Sequence, residues 1–430
     1  MAHDTTNNDV PFARLESVPA SWRGATIALI GIGLGAFVLA LITDADRAWH
    51  AYTFNWLYFM SVAMGAVMLA VIVTITRGAW SRSIRRIALA FVAFLPVAYL
   101  LLFPMLFAAD HIFPWLHEPV PGKEAWLNRP FLIIRNVVLL AALFWLCIVF
   151  AIKSLRPDLG LQRGRAGSAG ALWDRLTRDW VGQEQEEAAA HRTIAKLGPA
   201  IALVWAVAFS VVAWDFIMSL EPHWFSTLLG PYYFMAGLLG GLAATAIAAR
   251  AITGHLNLRD RIATSQWHDL GKLTFGFVVF WAYLFFSQFI VIWYGMLPGE
   301  QSFIIHRFTA PFNVIARLVF LLIWVIPFFS LLSAAAKKNP KVLTVYGGII
   351  LTGLWLERYL LVYPSHNIGV ESLPLGWQEV GTALLFAGLL LASVTWFCRR
   401  FPVFQQWQPM SEIELGGLPV EIAESAKAGS

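Results

Sequence analysis

Apolar runs of about 20 residues recur along the whole chain, and each is long enough to cross roughly 30 Å of hydrocarbon as a helix. The pattern predicts an all-α integral membrane protein with ten transmembrane helices. The first run follows a polar stretch without a small-residue cleavage site, so we predict a retained helix rather than a signal peptide. The predicted spans are residues 24–43, 52–75, 86–108, 131–152, 197–218, 230–250, 271–293, 309–334, 342–363 and 378–398.

The composition of the 430-residue chain excludes a soluble fold. Hydrophobic residues make up 58% of it and charged residues only 13%, against about 25% charged in ordinary soluble proteins. Its mean hydropathy is +0.65. The two cysteines, Cys147 and Cys398, lie in apolar runs and are too few for an iron–sulfur cluster, which takes about four. We therefore expect no metal centre in this chain, and the modest net charge of +5 makes nucleic acid an unexpected partner.

The basic residues predict the orientation of the helices. Of the 31 Lys and Arg, 24 fall before span one or after spans two, four, six, eight and ten. Under the positive-inside rule both termini then face the cytoplasm of a bacterium, with the protein in the inner membrane. This orientation predicts a membrane domain (24–398) between a cytoplasmic N-terminal segment (1–23) and a cytoplasmic tail (399–430). The domain contains a cytoplasmic loop (153–196). The loop contains either an amphipathic surface helix over 173–196 or a plain connector. From residue 401 the tail lacks periodicity, which is typical of a segment that lies along a partner or is partly disordered.

The positions of the histidines indicate whether the chain can bind haem b, which needs imidazole ligands well inside the bilayer. All ten histidines fall at or beyond the ends of the predicted spans. A dihaem cytochrome b is therefore not expected. If electrons pass this protein, another subunit carries the redox centres.

Ionisable residues inside the spans are expensive, so each is expected to have a partner or a function. All of them fall in the half predicted to be periplasmic, and the other half offers only weakly polar residues such as Thr74 and Thr245. Among these residues, Arg317 is typical of a lipid-facing anchor. The others either form static ion pairs or belong to a proton path. No catalytic residue is identified. The proton-path candidates are Asp215, Glu221, His223, Glu357, Arg358, Arg135 and Gln288.

Asp215, Glu221 and His223 form the most promising group among these candidates. A carboxylate held in low dielectric binds its proton more tightly and can exchange it with a nearby imidazole. An interfacial aromatic belt with a helix stop explains the Trp and Pro residues of 214–227 but leaves both carboxylates unexplained. Gln288, in span seven, either bonds a neighbouring helix or lines a wet path.

Several segments in the second half of the chain resemble the membrane subunits of alternative complex III, in the NrfD/PsrC-like family, and among them most closely the ActF subunits. The first 150 residues resemble the family mainly in hydropathy and length. The segments that carry the resemblance are Asp215–Thr227, Gly230–Phe234, His268–Leu273, Phe280–Tyr283, Ser287–Gly295 and Asn367–Gly369.

The resemblance implies ten helices, of which the second to fifth and the sixth to ninth form two four-helix bundles. It also implies a complex that oxidises quinol and reduces a cytochrome c or an oxidase. Haem c and iron–sulfur clusters belong to two partner subunits, a multihaem cytochrome and an iron–sulfur protein. A third partner, a sister NrfD-like subunit, holds the quinol pocket. This subunit binds no redox cofactor, is surrounded by lipids, and helps to move protons or contacts quinone.

Two alternatives remain open at the level of sequence. A secondary transporter would also have about ten spans and buried charges, but its charged site usually lies near the midplane beside broken helices. A purely structural membrane scaffold is the other alternative, since the half predicted to be cytoplasmic offers few polar residues for a proton path.

Overall fold

The computed structural model describes residues 12–162 and 170–407 and is built of helices, with no strand among these residues. Ten helices are long and apolar enough to cross a membrane, so the all-α prediction with ten spans is confirmed and the chain is a multi-pass membrane protein. They are α1 (Ala20–Thr43), α2 (Ala45–Ile75), α3 (Ala79–Phe107), α4 (Arg129–Gly160), α5 (Gln183–Phe216), α6 (Leu229–His255), α7 (Thr264–Gly295), α8 (Asn313–Leu331), α9 (Pro340–His366) and α10 (Trp377–Arg400).

The ten helices form two four-helix bundles and one outer pair. In the first bundle α2 packs on α3 and α5, while α4 packs on α3 and α5. In the second bundle α6 packs on α7 and α9, while α8 lies between α7 and α9. The outer pair, α1 and α10, packs together and against α2. The arrangement matches the two bundles that the resemblance implies.

The two bundles meet where α2 and α6 run side by side in the same direction. Small residues spaced four apart, Ser61 and Gly65 on α2 and Gly237 and Gly241 on α6, face one another. A β-carbon at Gly65 would overlap the backbone of Gly237, and one at Gly241 would overlap α2. Small residues at this spacing let membrane helices approach until their backbones touch. The contact therefore fixes how the bundles sit against each other.

We call the two ends of the molecule the upper and lower faces. The upper face carries the α1–α2 turn at Asp44, the α5–α6 connection (217–228) and a separate helix, Pro298–Phe308, between α7 and α8. The lower face carries the α2–α3 and α4–α5 connections and both ends of the described chain. The predicted orientation makes the upper face periplasmic.

The α4–α5 connection is shorter than the predicted loop of 153–196. Helix α4 continues to Gly160 and α5 already begins at Gln183, with one short helix, Ala171–Leu176, between them. Of the two alternatives for 173–196, neither a single surface helix nor a plain connector describes the whole stretch, because its second half is the extension of α5 beyond the apolar run. Hydropathy marks the apolar part of a helix, and these two helices extend past it. Residues 163–169 of this loop lie outside the described residues.

The beginning of the tail packs on the protein itself. Residues 401–407 are buried at the lower face, where the backbone N–H of Val403 donates to Ala13 O at 2.8 Å. Trp407 is completely buried, and its indole N–H donates to Ser154 O at 2.8 Å. For these residues the predicted partner or disorder is replaced by intramolecular packing. Residues 1–11 and 408–430 of the predicted terminal segments lie outside the described residues.

Candidate functional site

Asp215 lies at the end of α5 and is clamped by α4. Arg135 donates to both carboxylate oxygens, from Nε to Oδ2 at 2.7 Å and from Nη2 to Oδ1 at 2.6 Å. Asn136 donates to Oδ2 at 2.6 Å and the indole of Trp126 donates to Oδ1 at 3.1 Å. The Arg135 guanidinium also lies 4.2 Å from the centre of the Trp126 ring. Asp215 is fully buried, so this is a buried bidentate ion pair with further hydrogen bonds.

Glu221 lies just beyond α5 and binds a different arginine. Arg307, from the helix Pro298–Phe308, donates to Glu221 Oε1 at 2.7 Å, and the hydroxyl of Ser365 donates to the same oxygen at 2.7 Å. Arg307 also donates to Ser365 Oγ and to Leu361 O on α9, each at 2.8 Å. The pair therefore ties the α5–α6 connection and the separate helix to α9.

Burial and ion pairing shift the pKa values of Glu221 and Arg307 in opposite directions. Burial raises the pKa of Glu221, but the positive charge and hydrogen bonds of Arg307 outweigh it, and the pKa of Glu221 lies below its ordinary value. Burial lowers the pKa of Arg307 to about 10, against the opposing pull of Glu221. At neutral pH both groups are charged and the ion pair is formed.

His306, and not His223, is the imidazole beside Glu221. Its Nδ1 lies 3.5 Å from Glu221 Oε2, and its side chain is partly exposed at the upper face. His223 is exposed, and Asp215 binds Arg135 instead of joining Glu221. The structure therefore places the three residues of the predicted group in separate environments. The spacing along the chain held no signal for His306, which comes from another element.

Glu357 and Arg358 lie side by side on α9, inside the second bundle. Arg358 donates to Glu357 Oε2 at 2.5 Å, and the indole of Trp281 on α7 donates to Oε1 at 2.9 Å. Arg358 also donates to Tyr233 O on α6 at 3.0 Å and lies over the Tyr233 ring at 4.4 Å. The neighbours thus pair with each other and join α9 to α6 and α7.

A cavity of about 420 Å³ lies within the second bundle, beside these ion pairs. Its wall is mostly aromatic and aliphatic, and the polar residues of the wall include Gln288, Glu357, Arg307 and Arg317. Gln288 accepts a hydrogen bond from the Ser226 hydroxyl at 3.2 Å. Two of the seven candidates, Gln288 and Glu357, thus line one cavity together with Arg307, the partner of Glu221. Apolar pockets with a few converging polar groups are typical of binding sites for small ligands.

The wall of the cavity includes a stretch of irregular helix. Residues Leu321–Val325 of α8 form a π-helical segment, and both Leu321 and Val325 line the cavity. Single turns of π-helix inside α-helices often mark functional sites. The segment widens α8 at the position where it borders the cavity.

A further ion pair at the upper face was not among the predicted candidates. Glu379, fully buried at the start of α10, binds Arg47 through two hydrogen bonds of 2.7 and 2.9 Å. Tyr363 donates to Glu379 Oε1 at 2.6 Å, and the backbone N–H of Gly376 donates to Oε2 at 2.6 Å. Arg47 looked like an ordinary loop residue in the sequence, because its partner lies more than 300 positions away.

The lower half also holds buried charges, which corrects the prediction that it offers only weakly polar residues. Arg86 and Asp158 form a fully buried pair between α3 and α4. Asp158 also accepts the backbone N–H groups of Gln406 and Trp407, at 2.9 and 3.0 Å. These residues lie near the ends of the predicted spans, where charges are expected to reach water. The buried tail covers them instead.

His50 and His366 stack at the upper face with ring centroids 3.7 Å apart. Within residues 12–162 and 170–407, no group of three or more His, Cys, Asp or Glu side chains is arranged to hold a metal ion.

No protein-family model matches the sequence, and no curated protein matches it.

Proposed function

We propose that this chain is a membrane subunit of a complex that oxidises quinol and passes the electrons to a cytochrome c or an oxidase. It has no redox centre of its own in this proposal. Its partners are a sister NrfD-like subunit, a multihaem cytochrome c and an iron–sulfur protein. The last two carry the haem c and the iron–sulfur clusters.

One observation carries the proposal: four of the six segments that resemble alternative complex III subunits contribute residues to the cavity wall. These four lie within residues 215–295, on the α5–α6 connection, α6 and α7, whereas segments 268–273 and 367–369 do not line the cavity. Their shared position supports a common role rather than a chance similarity of membrane helices. The cavity residues that belong to them are Trp224, Tyr232, Trp281, Gln288, Phe289 and Ile292.

Proton movement is the second part of the proposal. Quinol oxidation releases protons together with electrons, so a subunit beside the reaction needs groups that lead protons to the surface. Glu221 supports this role best among the candidates, because it lies between Arg307, which lines the cavity, and the partly exposed His306. Asp215, with Arg135 on both of its oxygens, is better suited to holding α4 against α5.

The resemblance to alternative complex III subunits implies a bacterial inner membrane, and the distribution of basic residues favours both termini in the cytoplasm. Reporter fusions after Pro121 and Arg165 test this orientation. The expected result is a periplasmic signal at Pro121 and a cytoplasmic one at Arg165. The same side for both positions contradicts the ten-span topology.

A secondary transporter is the second candidate, because α8 contains a π-helical segment and α3 a 3₁₀ segment, Ala90–Phe94. Irregular helices beside a cavity are typical of transporters. However, their substrate site usually lies at the midplane, whereas Asp215, Glu221 and Glu379 lie at the upper ends of helices.

Co-purification separates the two candidates. A tagged full-length chain is isolated from its native membrane in mild detergent, and its partners are identified by peptide mass spectrometry and haem absorbance. We expect a multihaem cytochrome and an iron–sulfur subunit in constant ratio to the chain. A chain that purifies alone and binds a polar solute contradicts the proposal and favours a transporter.

A further inference from the structure

An apolar groove runs along the lower half of the molecule, between the outer pair α1 and α10 and the helices α2, α6 and α9. It has a volume of about 400 Å³ and shares no lining residue with the cavity of the second bundle. None of the described residues that line it is charged, and its wall is aliphatic and aromatic apart from Thr395 and Cys398. The Thr395 hydroxyl donates to Leu391 O of its own helix. The wall is therefore suited to a hydrocarbon chain.

The groove is as long as one leaflet of a bilayer is deep. On α10 its wall extends from Ala387 to Cys398, a separation of 11 residues that corresponds to about 16 Å of helix. Half of the roughly 30 Å hydrocarbon core is about 15 Å. The upper end is bordered by Phe59, which stacks on Phe386 with ring centroids 5.9 Å apart. The groove thus matches a lipid of one leaflet, whereas a partner helix that spans the membrane would continue along the upper half.

The groove opens to the side between α1 and α6. Ala25 of α1 and Ala251 of α6 both line it and are exposed, so small side chains border the opening. Below them Trp22 lies against His255, with ring centroids 5.6 Å apart. Trp side chains favour the boundary between hydrocarbon and water, so this contact marks the level of the lipid head groups. A lipid can therefore enter from the side with its head group beside Trp22.

Basic residues lie at the same level. Arg23 and Arg399 directly follow residues of the wall in the sequence, so the Cα atom of each lies about 3.8 Å from a Cα atom of the wall. Both side chains are exposed, and neither bonds to another described residue. Glu16 lies at this end too, since the N–H of its neighbour Leu15 donates to Cys398 O at 2.9 Å. The two arginines outnumber this glutamate, and the balance of charge favours an anionic head group.

We propose that the groove binds an anionic phospholipid from the leaflet at the lower face, with one acyl chain along α6 and α10 and the phosphate beside Arg23 and Arg399. The bound chain fills the space that the outer pair leaves beside α6. The inference goes beyond the proposed function and does not depend on it, because neither electrons nor protons are transferred.

Photolabelling tests the site. The tagged full-length chain, with the partners that co-purify, is placed in phosphatidylethanolamine nanodiscs that contain phosphatidylglycerol with a diazirine on one acyl chain. After irradiation the labelled peptides are mapped by mass spectrometry. We expect label to concentrate on the lower halves of α6 and α10. The same diazirine chain on phosphatidylethanolamine should label these peptides less, by about fivefold for each arginine that contributes.

Variants at the opening test the place of the acyl chain. Ala251→Phe puts a ring into the groove, and we expect the label on α10 to fall about tenfold. Ala142→Phe is the matched control, because Ala142 of α4 is equally classed as exposed but does not line the groove, and the label should not change. Ala25→Phe blocks the opening from α1 and repeats the test if Ala251→Phe does not assemble.

Variants of the basic residues test the head group. The double variant Arg23→Gln with Arg399→Gln should bring the label from phosphatidylglycerol down to the level from phosphatidylethanolamine. Arg192→Gln is the control, because Arg192 is an exposed arginine of α5, a helix that does not line the groove. With this control the preference for phosphatidylglycerol should remain.

Label spread evenly over the lipid-facing sides of all the helices indicates ordinary boundary lipid and overturns the site. Equal label from the two phospholipids in the wild-type protein overturns it as well, because then no charge selects the lipid. The same holds if a helix of a co-purified subunit, and not the lipid, is cross-linked to the groove. These outcomes leave the role in quinol oxidation untouched, since co-purification decides that separately.

Discussion

The two four-helix bundles hold their buried carboxylates in different ways. In the first bundle Asp215 receives a bidentate bond from Arg135 on another helix, with Asn136 and Trp126 completing the shell. In the second, Glu357 pairs with its chain neighbour Arg358, accepts the indole N–H of Trp281 on α7, and borders a cavity. Both carboxylates join helices, Asp215 to α4 and Glu357 through Trp281 to α7, but of the two it is Glu357 that borders the cavity. We propose that the first bundle acts as the support and the second as the binding bundle.

The largest effect is expected from Asp215→Asn, which keeps the size of the side chain but leaves Arg135 buried without a counter-ion. Breaking a buried ion pair in this way costs about 3 to 5 kcal/mol. We expect the amount of assembled protein in the membrane to fall sharply, as measured by size-exclusion chromatography of a fluorescent fusion.

The double variant Asp215→Asn with Arg135→Gln removes both charges and is the control, which should recover part of the lost protein. If Asp215→Asn assembles normally while turnover falls, Asp215 is a proton relay and the support role assigned to the first bundle is wrong. Normal assembly together with normal turnover would reject the relay role.

Glu357→Gln is expected to have a smaller effect on stability than Asp215→Asn. The change leaves Arg358 buried without a counter-ion, but Arg358 keeps its hydrogen bond to Tyr233 O and its contact with the Tyr233 ring. We therefore expect a loss near the lower end of the about 3 to 5 kcal/mol that breaking a buried ion pair costs. Because Glu357 borders the cavity, we expect quinol-dependent turnover per assembled complex to fall more than with any variant of the first bundle that still assembles. If variants in the two bundles lowered turnover equally, the distinction between a supporting and a binding bundle would be wrong.

The smallest expected effect is on how the thermal stability of the protein depends on pH. Arg307 and Ser365 hold the pKa of Glu221 below its ordinary value of 4.5, so the pair contributes stability above that pH and loses it as the pH falls through the lower, folded-state value. The melting temperature of the wild-type protein should therefore drop between about pH 5 and pH 3 more than that of Glu221→Gln, where the group no longer titrates. Parallel curves for the two proteins would show that Glu221 is not held in its charged form.

The sequence was sufficient to predict the helices because hydropathy is a local property. All ten spans are present, and most ends agree within a few residues. Helices α2, α3 and α7 each begin seven residues earlier than predicted. The end of α4 and the start of α5 differ most, because these helices extend into a polar region, where Arg156 and Glu186 pair at 2.6 and 2.7 Å. Hydropathy has no signal for such an extension, since the residues involved are themselves polar.

Pairing between helices could not be predicted in the same way. Arg135 and Asp215 were both recognised as unusual, but 80 positions separate them, and their bond depends on how α4 and α5 pack. The partners of Glu221 come from two helices far along the sequence, Pro298–Phe308 and α9, so His223 was the nearest candidate and His306 was missed. Arg86 and Asp158 were missed because the chain's own tail buries them.

Quinol-dependent electron transfer in membranes tests the central proposal most directly. Membrane vesicles are prepared from a strain that lacks this chain and from the same strain carrying the wild-type protein. Decylubiquinol is then added, and reduction of membrane haem c is followed by absorbance. We predict that the reduction is lost without the chain and returns with it. Equal rates of haem reduction in both membranes would contradict a role in quinol oxidation.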